Sequence, residues 1–193
     1  MHPAYIRLIA PSGHAHDRAA MMCGVARLRE AGCTVDGVDV LERVELRFAG
    51  SDAERAGDIN MLARLDTLPD IALATRGGYG AARLLPRLDY AALRERLHEA
   101  PLALVGHSDF TALQMALHAG SGLCTFSGPS LADLGAEPRS EFSWRQFWIT
   151  LTSPATSVAW DTSIEAGLDL RGPLWGGNLA VLCSLLGTPW FPT

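Results

Sequence analysis

The stretch Pro101-Leu-Ala-Leu-Val-Gly-His-Ser-Asp-Phe-Thr-Ala-Leu-Gln-Met-Ala-Leu117 decides the fold of this chain. Residues 102–105 form a short apolar run typical of a buried strand, and the spacing of residues 110–117 predicts a helix. Ser108 lies in the turn between them. A serine at the junction of a strand and a helix has the placement of a nucleophile elbow, in which the hydroxyl projects from the carboxyl edge of a sheet. The first N–H groups of the helix then stabilise negative charge on a substrate oxygen.

A helix cap is the competing interpretation of the same turn. Serine and aspartate both cap helices by accepting a hydrogen bond from a backbone N–H in the first turn. The sequence Gly106-His-Ser-Asp109 also lacks the second glycine of the G-x-S-x-G motif. The turn by itself therefore leaves a catalytic and a capping role open for Ser108 and Asp109.

Strands alternate with helices through the first two-thirds of the chain. Apolar runs predict strands at 6–10, 34–41, 71–75, 102–105 and 123–126, and helical spacing or caps predict helices at 17–31, 51–65, 81–86, 89–98 and 110–117. This order is typical of an α/β fold, in which a parallel sheet is flanked by helices. Ligands bind beyond the carboxyl ends of such strands, so we expect the loops 11–13, 76–80 and 106–109 to converge on one crevice.

The pattern changes after about Gly128. A loop is predicted at 129–138, an aromatic helix at 141–151, strands at 157–160 and 168–174, and an apolar helix at 179–186. We therefore predict an amino-terminal α/β domain (1–135), a connecting helix and linker (136–166) and the start of a smaller mixed carboxyl-terminal domain (167–193).

Composition excludes several classes of function. A net charge of −5 argues against nucleic acid or an anionic membrane as a partner, and the absence of lysine excludes a Schiff base or a P-loop. The four cysteines, Cys23, Cys33, Cys124 and Cys183, form no C-x-x-C pair, so we expect buried free thiols and no metal site. The chain shows no signal peptide and no apolar run of membrane-spanning length, which predicts a cytosolic protein.

The loop Arg76-Gly-Gly-Tyr-Gly80 follows a predicted strand, and its N–H groups can hold an anion or an oxyanion. The guanidinium of Arg76 suits carboxylate recognition. A turn that needs glycine only for its backbone geometry is the alternative. A dinucleotide fingerprint fits poorly, because Arg83 stands where a third small residue is required.

No Ser–His–acid triad can be assembled, since His107 adjoins Ser108 and neighbouring side chains in extended backbone point apart.

Four segments together resemble one family, the LD-carboxypeptidases. They are Ile9-Ala-Pro-Ser-Gly13, Arg76-Gly-Gly-Tyr-Gly80, Gly106-His-Ser-Asp-Phe-Thr111 and Leu174-Trp-Gly-Gly-Asn-Leu179, and their order and spacing match over nearly the whole chain. The family comprises murein tetrapeptide carboxypeptidases and relatives that give immunity to microcin C. The expected fold of the amino-terminal domain is flavodoxin-like, or similar to class I glutamine amidotransferases.

The resemblance implies a cytoplasmic serine peptidase without metal or cofactor, usually a homodimer, that removes the terminal D-alanine from murein tetrapeptide in cell-wall recycling. It implies that Ser108 is the nucleophile and that the N–H groups of Asp109 and Gly78 form the oxyanion hole. The expected substrate contacts are Arg76, Gly77 and Tyr79 in the loop 76–80, called the glycine loop below, and Trp175 and Asn178 beside the cleft.

One departure from the family pattern matters. The family's catalytic Glu and His follow the segment Gly187-Thr-Pro-Trp190, and this sequence ends before either. We therefore expect the natural protein to continue beyond Thr193 and the 193 residues alone to be inactive. Two other functions stay open: a microcin-immunity-type peptidase that cleaves acyl-sulfamoyl aminoacyl nucleotides, and a non-catalytic amidotransferase-like binding domain.

Overall fold

A five-stranded parallel sheet with helices on both faces organises the computed structural model, which describes residues 3–159, 161, 167 and 169–192. The strands are β1 (Tyr5–Ile9), β2 (Thr34–Asp36), β3 (Ile71–Ala74), β4 (Ala103–Gly106) and β5 (Phe126–Ser127). The helices are α1 (Arg18–Glu30), α2 (Asp52–Asn60), α3 (Tyr90–Leu97), α4 (Thr111–Ser121), α5 (Leu131–Leu134), α6 (Glu141–Thr152) and α7 (Leu179–Leu185). The strand order β2-β1-β3-β4-β5 is the flavodoxin-like order, so the predicted α/β fold is confirmed.

Alternation along the central strands builds a core on each face of the sheet. On β3, Ile71 and Leu73 pack in a cluster with apolar residues of α1, α5 and α6, whereas Ala72 and Ala74 pack in a second cluster with α2, α3, α4 and α7. Successive strand residues point to opposite faces, and all four are buried. The sheet is therefore covered on both sides, as its continuous apolar strands predict.

Two early elements differ from the predictions. The strand predicted at 34–41 ends at Asp36, because Gly37 takes a left-handed conformation (φ 73°) and turns the chain into a 3₁₀ helix, Val38–Glu42. The helix predicted at 81–86 is a 3₁₀ helix, Ala81–Arg87. Pro86 lies within it and provides no N–H for a longer α-helical ladder.

Differences are larger beyond residue 122. The strand predicted at 123–126 is reduced to Phe126–Ser127, and the segment 129–138, predicted as a loop, contains α5. Asp133 in α5 accepts hydrogen bonds from Ser130 N (2.8 Å) and Oγ (2.5 Å), a local cap that stabilises this short helix.

The strands predicted at 157–160 and 168–174 are wrong in their described parts, 157–159 and 169–174, which form no regular structure. Trp160 and Leu168 lie outside the described residues. Leu170 and Leu174 are 84% and 100% exposed, so their apolar side chains pack against nothing in the described part of the chain. An apolar run forms a strand only where a neighbouring strand pairs with it.

Two further features concern the surface. All four cysteines are free, but only Cys33 is buried, whereas Cys124 and Cys183 are exposed, so their predicted burial is wrong. Cys124 precedes the edge strand β5, and Cys183 lies on α7, a helix with one buried residue.

Within the described residues no helix combines the length and the apolarity needed to cross a membrane.

Candidate active site

Three loops meet at the carboxyl edge of the sheet. They follow β1, β3 and β4, which are neighbours in the sheet, so their carboxyl ends lie side by side. The N–H of Gly13 donates a hydrogen bond to the carbonyl of Gly77 (3.4 Å), and Gly77 lies against Ser108. The structure thus brings together the three loops that the sequence predicts to form one crevice.

Ser108 has a backbone conformation that side chains rarely adopt. Its φ is +62°, in the left-handed region, and its side chain is half-buried. Such a conformation costs about 1–3 kcal/mol in a non-glycine residue and is concentrated at functional sites. Ser108 begins a 3₁₀ turn, Ser108–Phe110, that leads into α4. Strand, strained serine and helix in this order have the geometry of a nucleophile elbow.

The capping interpretation does not fit the hydrogen bonds of this turn. Neither α4 nor the 3₁₀ turn before it is capped by a side chain. The buried carboxylate of Asp109 instead accepts hydrogen bonds from Ser12 Oγ (2.9 Å) and from Ala81 N (2.9 Å). Asp109 therefore ties the elbow to the two loops that flank it.

Gly77 brings the backbone of the glycine loop into contact with the serine side chain. A Cβ added at Gly77 would lie 2.8 Å from Ser108 Cβ and 3.1 Å from Ser108 Oγ. No larger residue fits there without displacing the loop or the serine. Gly78, the next residue, is exposed and has a φ of +118°. The loop predicted to supply an oxyanion donor is thus packed against the candidate nucleophile.

Arg76 and Tyr79 lie at the rim of the crevice. Nη1 of Arg76 donates to the carbonyl of His14 (3.2 Å) and contacts Nδ1 of His16 (2.5 Å). Tyr79 is 60% exposed, and its ring centroid lies 6.1 Å from that of Phe48. The guanidinium of Arg76 is therefore held by residues that follow the loop 11–13, and the exposed ring of Tyr79 has the guanidinium carbon of Arg47 5.8 Å from its centroid.

The segment with Trp175 and Asn178 contacts the beginning of α4. The N–H of Asn178 donates to Thr111 Oγ1 (3.0 Å), three residues after Ser108. Asn178 Oδ1 accepts from Val181 N (3.1 Å) and caps α7, a role that the sequence analysis missed. A substrate contact from Asn178 would therefore use its Nδ2 or the second lone pair of Oδ1. The half-exposed ring of Trp175 packs edge-on against Phe191, with centroids 5.4 Å apart.

His107 is bonded to a carboxylate rather than to Ser108. Its Nε2 lies 2.7 Å from Asp133 Oδ2, and this hydrogen bond raises the pKa of His107 above 6.5. Burial opposes ionisation of Asp133, but the hydrogen bonds from His107 and Ser130 outweigh it and lower the pKa of Asp133 to about 2. No histidine in the described part of the chain forms a hydrogen bond with Ser108.

The His107–Asp133 pair predicts a pH-dependent contribution to stability. We expect His107→Gln to lower the free energy of unfolding at about pH 5.5 by less than about 1 kcal/mol, because both side chains are more than a third exposed. The raised pKa of His107 makes its contribution complete below pH 6.5 and lost as the pH rises through the raised value. The contribution of Asp133 is complete above pH 3.8 and lost as the pH falls through about 2. Urea unfolding of both proteins at about pH 5.5 and pH 9 tests this, and an equal difference at both would contradict it.

Two residues that shape the site were missed in the sequence analysis. Ser12 is fully buried and donates a hydrogen bond to Asp109. The sequence analysis predicted that its loop joins the crevice but did not predict this bond. Arg55 is also fully buried, on α2, and contacts two of the three loops. A polar pattern on a helix normally indicates a solvated face, so no sequence signal identifies a buried arginine. In the described ranges, histidine, cysteine and acidic side chains never gather in threes around a position that a metal ion would fill.

Comparison with known proteins places this geometry in one family. Residues 6–128 match the model described as the LD-carboxypeptidase N-terminal domain. A protein of Bacillus subtilis named probable murein peptide carboxypeptidase is 33% identical over 171 residues, which cover 84% of this chain and 51% of that protein. The chain thus spans about half the length of this relative.

Solved structures show the same relationship. The crystal structure of muramoyltetrapeptide carboxypeptidase from Oxalobacter formigenes superimposes with a TM-score of 0.86 at 39% identity, covering 98% of this chain and 62% of that one. The microcin C7 self-immunity protein in complex with aspartyl sulfamoyl adenosine gives a TM-score of 0.81 at 26% identity, covering 100% of this chain and 66% of that one.

Proposed function

The chain belongs to the LD-carboxypeptidase family, and we propose that its protein is a serine carboxypeptidase that releases the terminal D-alanine of murein tetrapeptide in cell-wall recycling. The observation that carries the proposal is Ser108, held at φ +62° between β4 and α4 with Gly77 packed against its side chain. Relatives named for muropeptides support the substrate class.

In the proposed reaction, Ser108 Oγ attacks the carbonyl carbon that joins diaminopimelate to D-alanine. An oxygen–carbon bond forms, the amide carbon–nitrogen bond breaks, and D-alanine leaves after its nitrogen accepts a proton. Water then hydrolyses the ester. The N–H groups of Asp109 and Gly78 stabilise the oxyanion, and Arg76 with Tyr79, Trp175 and Asn178 contacts the peptide.

The proton of Ser108 needs an acceptor, because a serine hydroxyl is almost wholly protonated near neutral pH. His107 bonds Asp133, and His16 Nδ1 contacts Arg76. We propose that the base is a His and the orienting acid a Glu, as the family resemblance implies, in the part of the relative's length that this chain does not span.

This proposal predicts that the 193-residue chain alone releases no D-alanine from murein tetrapeptide, whereas the full-length protein does. Removing a base that works as a unit with the serine costs several orders of magnitude in rate. The measurement is D-alanine release by an amino-acid oxidase assay at equal protein concentration, with circular dichroism as the control for folding. Release by the short chain at the full-length rate would place the base within it.

The substrate itself is tested with the full-length protein. We expect D-alanine release from the tetrapeptide to exceed cleavage of aspartyl sulfamoyl adenosine, because similarity to the muropeptide enzyme is greater than similarity to the microcin-immunity protein. The reverse preference would assign the protein to the microcin-immunity type. Cleavage of neither substrate, together with no labelling of Ser108 by a fluorophosphonate, would favour a non-catalytic binding domain.

The proposal includes a cytoplasmic homodimer, as in the family. The aromatic helix α6 gives this proposal limited support. Phe147 is buried, and Trp144 and Trp148 pack beside it against the sheet, so packing uses most of the aromatic surface. Phe142 and Ile149 are 53% and 38% exposed and are the apolar side chains of α6 left for a partner.

A further inference from the structure

Arg55 is a charged side chain with no exposed surface. Its Nη1 donates to the carbonyls of Pro11 (2.6 Å) and Gly80 (3.1 Å), its Nε donates to the carbonyl of Gly50 (3.2 Å), and its Nη2 bonds Asp52. Burying a guanidinium is expensive, and an apolar residue of similar volume would pack a helix against a sheet at lower cost. The bonds to two active-site loops indicate what the charge does here.

Arg55 and Asp109 form hydrogen bonds with the same two segments of the chain, at adjacent residues. Asp109 accepts hydrogen bonds from Ser12 and Ala81, and Arg55 donates to the carbonyl of the residue immediately before each of them. One anion and one cation thus fix the start of the loop 11–13 and the end of the loop 76–80. Neither loop can move at these points without breaking a buried, charge-assisted hydrogen bond.

Close packing around Gly80 also restrains the end of the glycine loop. A Cβ added at Gly80 would lie 2.7 Å from Arg55 Nη1 and 2.8 Å from the ring of Phe48, and φ at Gly80 is +126°. The guanidinium carbon of Arg55 lies 4.6 Å from the centroid of the same ring. The glycine loop is therefore enclosed at its carboxyl end, three residues after Gly77 meets Ser108.

We infer that Arg55 is a positioning residue, which holds the glycine loop so that Gly77 stays packed against Ser108 and Gly78 stays in place after it. The inference rests on the proposed serine carboxypeptidase function. Arg55 itself touches neither substrate nor nucleophile; it acts through the carbonyls of Pro11 and Gly80. Because the oxyanion donors act mainly in the transition state, their misplacement lowers kcat more than it raises KM.

The test compares Arg55→Met and Arg55→Lys with Arg83→Met in the full-length protein. Arg83 is a matched control: it bonds the same Asp52 (2.9 Å) and lies over the same Phe48 ring (5.3 Å), but its side chain is exposed and donates to neither loop in the described part of the chain. Its backbone N–H donates to the Gly80 carbonyl (3.2 Å), and the substitution keeps this bond. We expect Arg55→Met to lower kcat by about 10²-fold, as a displacement of about 1 Å does, with a much smaller change in KM. We expect Arg83→Met to keep the kcat of the unaltered protein.

Arg55→Lys keeps the charge, but its single nitrogen lies one bond closer to the backbone than Nη1, the atom of Arg55 that bonds both loops, and it cannot also replace Nε and Nη2. We therefore expect a kcat between those of the methionine variant and the unaltered protein. It also decides the matter if Arg55→Met fails to fold. The rate at which a fluorophosphonate phosphonylates Ser108, with loss of fluoride, gives a second reading per folded molecule. An unaltered kcat in folded Arg55→Lys, or equal kcat values for Arg55→Met and Arg83→Met, would overturn the inference. Full activity of Ser108→Ala would instead overturn the proposed function.

Discussion

Ser108→Ala abolishes D-alanine release in the full-length protein if the proposed mechanism holds, with an expected loss of about 10⁴- to 10⁶-fold in kcat. The alanine cannot form the acyl-enzyme, and only binding and the oxyanion donors are left to accelerate the reaction. Ser108 is half-buried, and its side chain makes no capping bond, so we expect the alanine variant to fold normally. The measurements are kcat with murein tetrapeptide and the melting temperature. Unaltered D-alanine release would contradict the assignment of Ser108.

A glycine at the same position separates the chemical role of Ser108 from its conformational cost. At φ +62° glycine is unstrained, whereas serine and alanine are strained, so we expect Ser108→Gly to be about 1 kcal/mol more stable than Ser108→Ala. Both variants are expected to be inactive. Equal stability of the two variants would show that no strain is stored at this position.

Local patterns predicted most of the fold, because the elements that carry it are those that local chemistry determines. The apolar strand 103–106 is buried at every position, and the capping box of Ser51 and Glu54 begins α2 and the Asp89 cap begins α3 where expected. The predicted strands that are absent, at 157–159 and 169–174, lie where an apolar run needs a partner from elsewhere in the fold. Sequence patterns report local periodicity and say little about whether a partner strand is present.

The candidate site shows the same division. The positions of Ser108 and the glycine loop follow from turns after strands, which are local features. The links between the loops are long-range: Asp109 joins Ser12, 97 residues away, and Arg55 reaches Pro11, 44 residues away. Such bonds depend on strand order, so no spacing in the sequence indicates them. Asn178 is the opposite case, because its side chain caps α7 by a bond to Val181, three residues away, which is a local feature.

Gly77→Ala tests the contact between the glycine loop and the nucleophile. The added methyl group would lie 2.8 Å from Ser108 Cβ and 3.2 Å from the carbonyl of His107, and neither neighbour can rotate away. The φ of Gly77 is not in the left-handed region, so crowding alone, rather than backbone strain, produces the effect. We expect the loop to move by enough to misplace the oxyanion donor and to lower kcat by about 10²-fold.

Gly57→Ala is the matched control for this prediction. Gly57 lies within α2, and a Cβ there meets nothing within 4 Å. Alanine also favours a helix over glycine by about 1 kcal/mol, so we expect this variant to be more stable and fully active. If crowding at Ser108 is the cause, the loss of kcat appears in Gly77→Ala alone, and phosphonylation of Ser108 by a fluorophosphonate slows in parallel. A Gly77→Ala protein as active as Gly57→Ala would mean that the glycine loop does not need to contact the serine for turnover.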